Sequence, residues 1–371
     1  MRVLHLMKHC DMGGITRYVM TLAKELHGQC AYCGVVSAGG AYEEAFHALG
    51  VETCTVDIAV KSILHPKVFA AVDVVSRLVR EKDITIMHAH TRVAQVVAHF
   101  VSRRTGVPFI ATCHGFFTRN IGRRLLPAWG KKVIAISDAV HDDLVTRFDL
   151  AEDRVRTIYN GIDVDALETA YQGIAVDAVR EHYRCRGCYP VIGAIARMVK
   201  DKGFQCLVRA AHRIRERYPS LVVLLIGEGK YEQALRSLVD SLGMAGNVRF
   251  LGIQSNIAEP LSTMDVFVVP TLTREGFGFS AVEALALKKT VIAADLGGLR
   301  TVIRQDENGV LFRPGDDRDL AEKICWVLDN RTAVARFHEN GYRRTRELFS
   351  SSVMAASVFA LYRECVSGRE Q

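Results

Sequence analysis

No stretch of this sequence reaches the roughly eighteen unbroken apolar residues that a membrane-spanning helix needs. The start of the chain also lacks the apolar run and cleavage site of a secretory signal, because a short predicted strand is followed at once by Lys8, His9 and Asp11. We therefore expect a protein that starts at residue 1, acts in the cytoplasm and does not span a bilayer.

A strong excess of one charge is also missing. The formal net charge of +7 is modest for 371 residues, and the basic residues are not clustered as in nucleic-acid-binding proteins. Such a charge suits an anionic small ligand or an acidic membrane surface. The composition, 49% hydrophobic and 24% charged, is that of a soluble globular protein, and the length exceeds what one core normally serves. We expect two domains and no nucleic-acid partner.

The ten cysteines are too few for a disulfide scaffold in a chain of this length, and a cytosolic protein keeps them reduced. Cys30 and Cys33 have ligand-like spacing but lie at the edge of a predicted strand, where they point to opposite faces. Cys185 and Cys188 lie in a predicted loop and could form half a zinc site. About 150 residues separate the pairs, against roughly 12–20 in zinc modules. We expect buried or idle thiols rather than structural zinc.

Strand-like and helix-like patterns alternate along the whole chain without a sequence repeat. This alternation predicts an α/β protein with parallel sheets covered on both faces and ligands at the carboxyl ends of the strands. The apolar pattern weakens after residue 168 and resumes near residue 189, which predicts a domain boundary there. The predicted strands are 1–7, 31–37, 51–56, 84–88, 109–113, 132–135 and 155–158, then 190–196, 221–226, 248–251, 265–269, 291–294 and 310–312. The predicted helices are 15–26, 41–49, 66–81, 93–104 and 138–148, then 204–218, 231–242, 257–264, 319–327, 333–348 and 353–365.

Polar residues follow several strands of the first half. The turn that ends in Gly13 and Gly14 is not a dinucleotide fingerprint, but it could present backbone N–H groups to a phosphate at the helix start. His114 follows a strand and precedes a glycine, so it is either a functional group or a neutral histidine hydrogen-bonded at a strand end. His88 and His90 have the spacing of a metal pair, but no third ligand is evident nearby, and we do not expect a metal.

Residues 118–132 combine basic and apolar side chains without an acid. A basic segment with an apolar face is typical of a helix that lies on a membrane surface. The alternative is a solvated helix whose apolar side packs on the domain, and Gly122 and Pro127 both disfavour a long helix. The segment contains the basic residues Arg119, Arg123, Arg124, Lys131 and Lys132 and the apolar residues Ile121, Leu125, Leu126 and Trp129.

Two candidate sites for phosphate or metal binding lie near or after the middle of the chain. Asp163 and Asp165 have the spacing of a metal-dependent sugar transferase motif, but they follow a turn and favour the start of a helix instead. Arg197 and Lys202 lie in a strand-to-helix loop. Two fixed cations there would neutralise a diphosphate, and would stabilise it more strongly as it leaves. The alternative is that both are ordinary exposed loop residues.

The most informative stretch runs from residue 270 to residue 287. It begins where a strand ends, and Gly276 and Gly278 allow the backbone to approach a ligand closely. A helix that opens near Phe279 offers unpaired N–H groups to an anion. Glu275 and Glu283 could stand roughly 10 Å apart, the scale of a nucleotide sugar. For Glu283 the alternative is a carboxylate that is favourable near a helix N-terminus by about 0.3–1 kcal/mol.

In this order and spacing, the motifs resemble those of the retaining glycosyltransferases of family 4, the glycosyl transferases group 1, over the whole length of the chain. Ser280 departs from the family pattern, in which an aliphatic residue is more usual. The motifs that carry the resemblance are Gly13-Gly14, His88-Ala-His90, Thr112-Cys-His-Gly115, Ile136-Ser137, Tyr159-Asn-Gly-Ile-Asp163, Arg197 with Lys202-Gly203, and Glu275-Gly-Phe-Gly-Phe-Ser-Ala-Val-Glu283.

The resemblance implies a GT-B fold: two Rossmann-like domains, an active site in the cleft between them and a last helix that crosses back to the first domain. The implied divisions are an acceptor-side domain at 1–168, a linker at 169–188, a donor-nucleotide domain at 189–348 and the returning helix at 349–371.

The resemblance also implies roles for single residues. Glu283 would hold the ribose hydroxyls, and Arg197 and Lys202 the diphosphate. Glu275 would hold the sugar hydroxyls, with His114 beside the sugar. The backbone N–H groups of Gly14, Gly276, Phe277, Gly278 and Phe279 would complete the donor site. His114, Glu275, Arg197 and Lys202 are the candidate catalytic residues.

The expected activity is transfer of a sugar from a UDP- or GDP-sugar to a hydroxyl of a glycan or lipid-linked acceptor, in cell-surface polysaccharide or lipopolysaccharide synthesis. Retention, a front-face reaction, no cofactor and no obligatory metal are implied. A peripheral contact at the cytoplasmic face of the membrane through residues 118–132 would accompany it. The alternatives are a nucleotide-sugar 2-epimerase-like GT-B enzyme and a non-catalytic nucleotide-sugar-binding protein.

Overall fold

The computed structural model describes residues 1–11, 13–60, 62–119 and 121–367, and the contacts among them define two units. Unit 1 comprises Met1–Gly161 and the chain from Ser351 onward, and unit 2 comprises Ile162–Ser350. Met12 of the predicted glycine turn, Asn120 of the basic segment and residues 368–371 of the predicted returning helix lie outside the described residues. The domain limits expected at 168, 189 and 349 stay predictions.

Unit 1 contains a sheet of parallel strands with the order β3-β2-β1-β4-β5-β6-β7. The inner strands are largely apolar and buried, as expected for strands that are covered on both faces, whereas the edge strands at Glu52–Thr55 and Val155–Thr157 are more polar and partly exposed. The strands are β1 (Arg2–Leu6), β2 (Tyr32–Ser37), β3 (Glu52–Thr55), β4 (Ile86–Ala89), β5 (Phe109–Cys113), β6 (Val133–Ala135) and β7 (Val155–Thr157).

The helices of unit 1 begin and end at residues suited to those positions. In the third helix Pro66 occupies the first position and the His65 side chain accepts a hydrogen bond from Lys67 N at 3.2 Å. The fourth helix ends at Gly106, whose φ of 73° is favourable for glycine. The helices are α1 (Gly14–Glu25), α2 (Glu43–Ala48), α3 (Pro66–Glu81), α4 (Arg92–Thr105), α5 (Ile121–Leu125) and α6 (Asp138–Asp142), which continues as a π-helical turn at Asp143–Arg147.

Unit 2 contains a second parallel sheet with the order β10-β9-β8-β11-β12-β13. The stretch 169–188 that was expected as a linker is partly helical, and its helices pack against the helices of this unit that begin at Ala258 and Phe279. The strands are β8 (Val191–Ile195), β9 (Val222–Ile226), β10 (Val248–Phe250), β11 (Val266–Val269), β12 (Thr290–Ala294) and β13 (Val310–Phe312). The helices are α7 (Val164–Gln172), α8 (Val176–His182), α9 (Phe204–Ile214), α10 (Glu232–Ser241), α11 (Ala258–Thr263), α12 (Phe279–Ala286), α13 (Leu299–Val302), α14 (Asp317–Asp329) and α15 (Arg331–Leu348).

The last helix, α16 (Ser351–Ser367), belongs to unit 1 and packs against α1 and β4. Met354, Val358 and Leu361 of α16 are buried in one cluster with Val3 and Leu22. The fold-class prediction of two parallel-sheet α/β halves with a returning last helix is confirmed, and every predicted strand has an observed counterpart.

Each sheet has one point where the strand order changes direction. The chain adds β2 and β3 on one side of β1 and then places β4 on the other side. In unit 2 it adds β9 and β10 on one side of β8 and then places β11 on the other. The carboxyl ends of β1 and β4, and those of β8 and β11, therefore border the crevices where sheets of this kind bind ligands.

Candidate active site

In unit 2, two loops leave the carboxyl ends of the neighbouring strands β8 and β11 and are joined to each other. Leu272 N donates a hydrogen bond to Asp201 O at 2.8 Å, and Thr271 Oγ1 donates to the same oxygen at 3.2 Å. Gly203 has a φ of 72°, and a Cβ there would lie 1.8 Å from Pro270 O. Only glycine fits this position, which explains the Lys-Gly pair at the end of the loop.

The two candidate diphosphate-binding cations differ in their surroundings. Arg197 is exposed, and its side chain makes no hydrogen bond or ion pair with the described residues. Lys202 forms a close ion pair through Nζ with the Glu275 carboxylate, and the side chains are 25% and 20% exposed. The structure thus brings Lys202 and Glu275 into direct contact, although the sequence assigned them to different parts of a ligand.

The glycine loop before α12 is held in a tight conformation. Gly298 N donates to Glu275 O at 2.7 Å, and a Cβ on Gly298 would lie 2.3 Å from Gly276 O. Gly278 caps α12 with a φ of 110°. Phe277 is buried and packs edge-on against Phe279, with the ring centroids 5.6 Å apart. Within the described chain, the backbone N–H groups of Phe277 and Gly278 have no acceptor, so they are available to an anion.

Glu283 lies one turn further along α12. Its side chain is only 4% exposed, and its helical neighbours Val282 and Ala284 are fully buried. Carboxylates are rarely buried to this extent in proteins. A ligand group that reaches Glu283 must therefore be small, such as a pair of hydroxyls.

In unit 1 the candidate residues lie at the β1/β4 crevice. Gly14 is the first residue of α1, the helix that follows β1 after a loop, and is exposed. His114 follows β5 and is half-buried. Tyr18, one turn into α1, packs edge-on against His114 with ring centroids 4.9 Å apart. The two predicted residues therefore belong to one part of unit 1, connected through Tyr18.

His114 is the outer end of a chain of histidines that the sequence did not reveal. His114 Nε2 lies 3.1 Å from His90 Nδ1, and His90 Nε2 lies 3.0 Å from His5 Nδ1. A second, separate set of bonds joins His88 to Tyr362 OH at 2.6 Å and to Thr112 Oγ1 at 2.7 Å. His5 could have been singled out from the sequence only as a polar residue within a predicted buried strand.

Burial keeps these histidines neutral. It lowers the pKa of His5 and the pKa of His114 to about 3 each. It also lowers the pKa of His88 and of His90 well below the usual value, and the neighbouring histidines add to that effect. At physiological pH each ring therefore has one N–H donor and one acceptor nitrogen.

Both halves of the chain match models of known protein families. A family model described as Glycosyltransferase Family 4 matches residues 12–166, and one described as Glycosyl transferases group 1 matches residues 177–344. The two models together account for most of the chain. The chain belongs to glycosyltransferase family 4. The predicted family and the predicted enzyme class are confirmed.

Individual relatives of this glycosyltransferase agree with that assignment. The phosphatidyl-myo-inositol mannosyltransferase of Mycobacterium leprae (strain TN) is 29% identical over 305 residues, which cover 78% of this chain and 75% of that protein. The capsular polysaccharide biosynthesis glycosyltransferase CapM of Staphylococcus aureus is 29% identical over 233 residues, 62% of this chain and 60% of that protein. The structure of Anabaena Alr3699/HepE in complex with UDP and glucose has the same fold, with a TM-score of 0.82, 22% identity and coverage of 97% and 99%.

Potential metal ligands of the glycosyltransferase have other partners. No third ligand for His88 and His90 was evident from the sequence, but in the structure His5 lies beside them. Ligand atoms of the three histidines lie within 4.8 Å of one another. Both ring nitrogens of His88, however, are bonded to hydroxyl groups, and the other two histidines bond each other. Asp163 Oδ1 accepts a bond from Ala166 N at 3.0 Å at the start of α7, and Asp165 pairs with Arg346 at 2.7 Å.

The cysteine pairs also lack the partners of a zinc site. In the described ranges the thiols are unbonded to one another, and neither Cys30 with Cys33 nor Cys185 with Cys188 has a third ligand. Burial raises the pKa of Cys33 to about 12, which disfavours the thiolate that a metal binds.

The basic segment of the glycosyltransferase differs from the predicted amphipathic helix. Among its described residues, the short α5 is the helix that forms. Trp129, expected on the membrane side, is 4% exposed, and the 6% exposed Arg123 lies over its ring at 4.5 Å. Lys131 Nζ donates to Cys365 O at 2.9 Å. The prediction of Trp129 as a membrane-facing residue is wrong, because the ring and the guanidinium pack together inside unit 1.

Two apolar residues of the segment do face solvent. Ile121 is 74% and Leu125 is 81% exposed, and Arg124 between them is also exposed. In the part of the chain that the structure describes, no helix has the length and apolar character needed to cross a bilayer.

Proposed function

We propose that this glycosyltransferase moves a sugar from a UDP- or GDP-sugar to a hydroxyl of a glycan or lipid-linked acceptor, with retention, in the synthesis of a cell-surface polysaccharide or lipopolysaccharide. The observation that carries the proposal is the β8/β11 crevice. This crevice is bordered by the unpaired Arg197, the paired Lys202, free backbone N–H groups and two carboxylates. A nucleotide sugar requires groups of these kinds. The named activities of the two sequence relatives support a capsular or lipid-linked acceptor.

The Lys202–Glu275 ion pair suggests how the donor is received. A diphosphate carries more negative charge than a single carboxylate and can replace Glu275 as the partner of Lys202. Glu275 is then free to accept hydrogen bonds from the hydroxyls of the transferred sugar. Arg197, which has no partner to lose, binds the diphosphate without this exchange.

The reaction breaks the bond between the sugar C1 and the terminal phosphate oxygen and forms a bond between C1 and the acceptor oxygen. In the proposed front-face route, the leaving phosphate takes the acceptor proton. Arg197 and Lys202 stabilise the charge that develops on that phosphate. These two cations would supply the charge neutralisation for which other transferases use a metal, so we propose that activity persists in EDTA.

Binding and turnover of two carboxylate variants test the donor site. Glu283→Ala should weaken UDP or GDP binding at least tenfold, because the ribose loses its acceptor. Glu275→Gln should keep or improve nucleotide binding, because Lys202 loses a competing charge. It should reduce transfer by roughly 2–4 kcal/mol of transition-state stabilisation. Glu322→Ala, an exposed glutamate on α14, is the matched control.

Calorimetry with UDP, GDP and ADP, followed by turnover with the corresponding sugars and cell lipid and glycan extracts, gives both quantities. Unchanged binding and turnover in both variants would refute the site. Donor conversion without an acceptor would favour the 2-epimerase-like alternative. Saturable binding with no donor consumption would favour the non-catalytic binding protein. The anomeric configuration of the product tests retention.

We also propose a peripheral contact with the cytoplasmic face of a membrane, through Ile121 and Leu125 rather than Trp129. Two exposed apolar side chains next to Arg124 suit an anionic bilayer, and each buried side chain contributes on the order of 1.5 kcal/mol or more. Ile121→Ser with Leu125→Ser should reduce flotation with anionic vesicles about tenfold or more. Ile253→Ser, which removes an exposed residue of unit 2, is the control. Equal flotation of both variants would contradict this contact.

A further inference from the structure

The chain His5–His90–His114 has a directional property that follows from its hydrogen bonds. Both ring nitrogens of His90 are bonded to histidines, Nε2 to His5 and Nδ1 to His114. A neutral imidazole donates at one nitrogen and accepts at the other. If His90 donates from Nδ1 to His114, its Nε2 must accept from His5. If His90 instead donates from Nε2 to His5, its Nδ1 must accept from His114. The three rings therefore share one of two tautomeric states, with the proton on Nδ1 in all three or on Nε2 in all three.

The buried end of the chain distinguishes these two states. His5 is fully buried, and its Nε2 has no hydrogen-bond partner among the described residues. In the all-Nε2 state that atom is a buried N–H without an acceptor. In the all-Nδ1 state it is only a lone pair without a donor. Orphaned buried N–H groups are rare in proteins, so the all-Nδ1 state is favoured.

The outer end of the chain then acquires a defined chemistry. His114 uses Nε2 to bond His90, so the nitrogen that it presents outward is Nδ1. We propose that His5 and His90 are positioning residues that hold His114 in the Nδ1–H tautomer, so that His114 meets its ligand as a hydrogen-bond donor and not as a base. The ligand atom is an oxygen of the transferred sugar or of the leaving phosphate, and this identity rests on the proposed function. The tautomer of His114 is independent of the proposed function.

A second set of bonds provides an internal reference. His88 lies against His90, with ring centroids 4.2 Å apart, but its own nitrogens bond Tyr362 and Thr112. A change at His5 should therefore alter the tautomers of His90 and His114 and leave that of His88 as it is. This difference separates a hydrogen-bond effect from a general disturbance of packing.

The direct test is two-bond proton–nitrogen NMR on the full chain labelled with ¹⁵N in the histidine rings. The signals distinguish a protonated ring nitrogen from a bare one. We expect Nδ1–H with a bare Nε2 in His5, His90 and His114, the opposite of the preference of the free side chain in water. Nε2–H on His114 in the wild-type protein would overturn the proposal, and so would a metal ion bound stoichiometrically by the three buried histidines.

Variants of His5 connect the tautomer to catalysis. His5→Asp replaces the inner donor by a carboxylate, which can only accept a hydrogen bond, so His90 and His114 should both switch to Nε2–H. We expect kcat/KM to fall at least fivefold, because His114 Nδ1 is then a bare acceptor instead of a donor. His5→Asn, whose amide can donate to His90, should restore both quantities. His27→Leu, which alters an exposed histidine of unit 1, should change neither.

The outcomes separate this inference from the proposed function. A rate loss in His5→Asp with no change in the His114 tautomer would overturn the positioning role. Nδ1–H signals in a protein that consumes no donor would support the chain of histidines and refute the proposed function. If His5→Asp does not fold, the wild-type spectrum still decides the tautomer.

Discussion

Mild acid should destabilise unit 1 through its buried histidines. Burial lowers the pKa of His5, His88 and His90 in the folded protein, whereas each has a pKa of about 6.5 when unfolded. The unfolded chain therefore binds more protons than the folded one below that pH. The contribution of these histidines to the free energy of unfolding is fully present above pH 6.5. It is lost progressively as the pH falls toward their pKa values in the folded protein.

The size of this effect follows from the three side chains that are almost completely buried. Between pH 6.5 and 5.5, each such histidine lowers the free energy of unfolding by about 1 kcal/mol. The three together should lower it by about 3 kcal/mol, a large share of the roughly 5–15 kcal/mol typical of a domain. His114 would add to this figure.

The two tryptophans allow the measurement in each unit separately. Trp326→Phe leaves Trp129, which is buried in unit 1, as the only tryptophan, so its fluorescence follows urea unfolding at each pH. Trp129→Phe leaves Trp326 as the probe of unit 2, which lacks this cluster, and its transition should move less. A Trp129 transition with the same free energy at pH 6.5 and 5.5 would refute the reasoning.

Two further predictions concern single contacts. Tyr362→Phe removes the 2.6 Å bond to the buried His88 and should lower the free energy of unfolding of unit 1 by about 1–3 kcal/mol in urea titrations; an unchanged value would show that this bond does not hold α16. Gly203→Ala places a Cβ against Pro270 O and should destabilise unit 2 by at least about 1–2 kcal/mol, whereas Gly246→Ala, with open space around it, should be neutral. Equal stability of the two glycine variants would contradict the tight loop contact.

The sequence predicted the elements of this fold well and their arrangement less well. Apolar runs bounded by glycines and charged residues identified all the strands of both sheets. The order of those strands depends on pairing between distant segments, such as β1 with β4, and no local pattern encodes it. The crevices at the carboxyl ends of β1/β4 and β8/β11 could therefore be placed only from the structure.

In the candidate site, too, the local elements could be predicted and the contacts between distant segments could not. The spacing from Glu275 to Glu283 predicted a loop and a helix, and both form. The Lys202–Glu275 pair could not be foreseen, because it joins long side chains from two loops through their rotamers. The basic segment was misjudged because a charge pattern does not reveal that Arg123 lies buried over Trp129.

In the proposed function, the β8/β11 crevice holds the donor nucleotide. Hydrogen–deuterium exchange of the full chain with and without UDP, GDP or their sugars tests this most directly. We expect slower exchange in peptides covering residues 197–203 and 276–283, including the free N–H groups of Phe277 and Gly278. Protection confined to other parts of the chain, with these two peptides unchanged under saturating nucleotide, would contradict it.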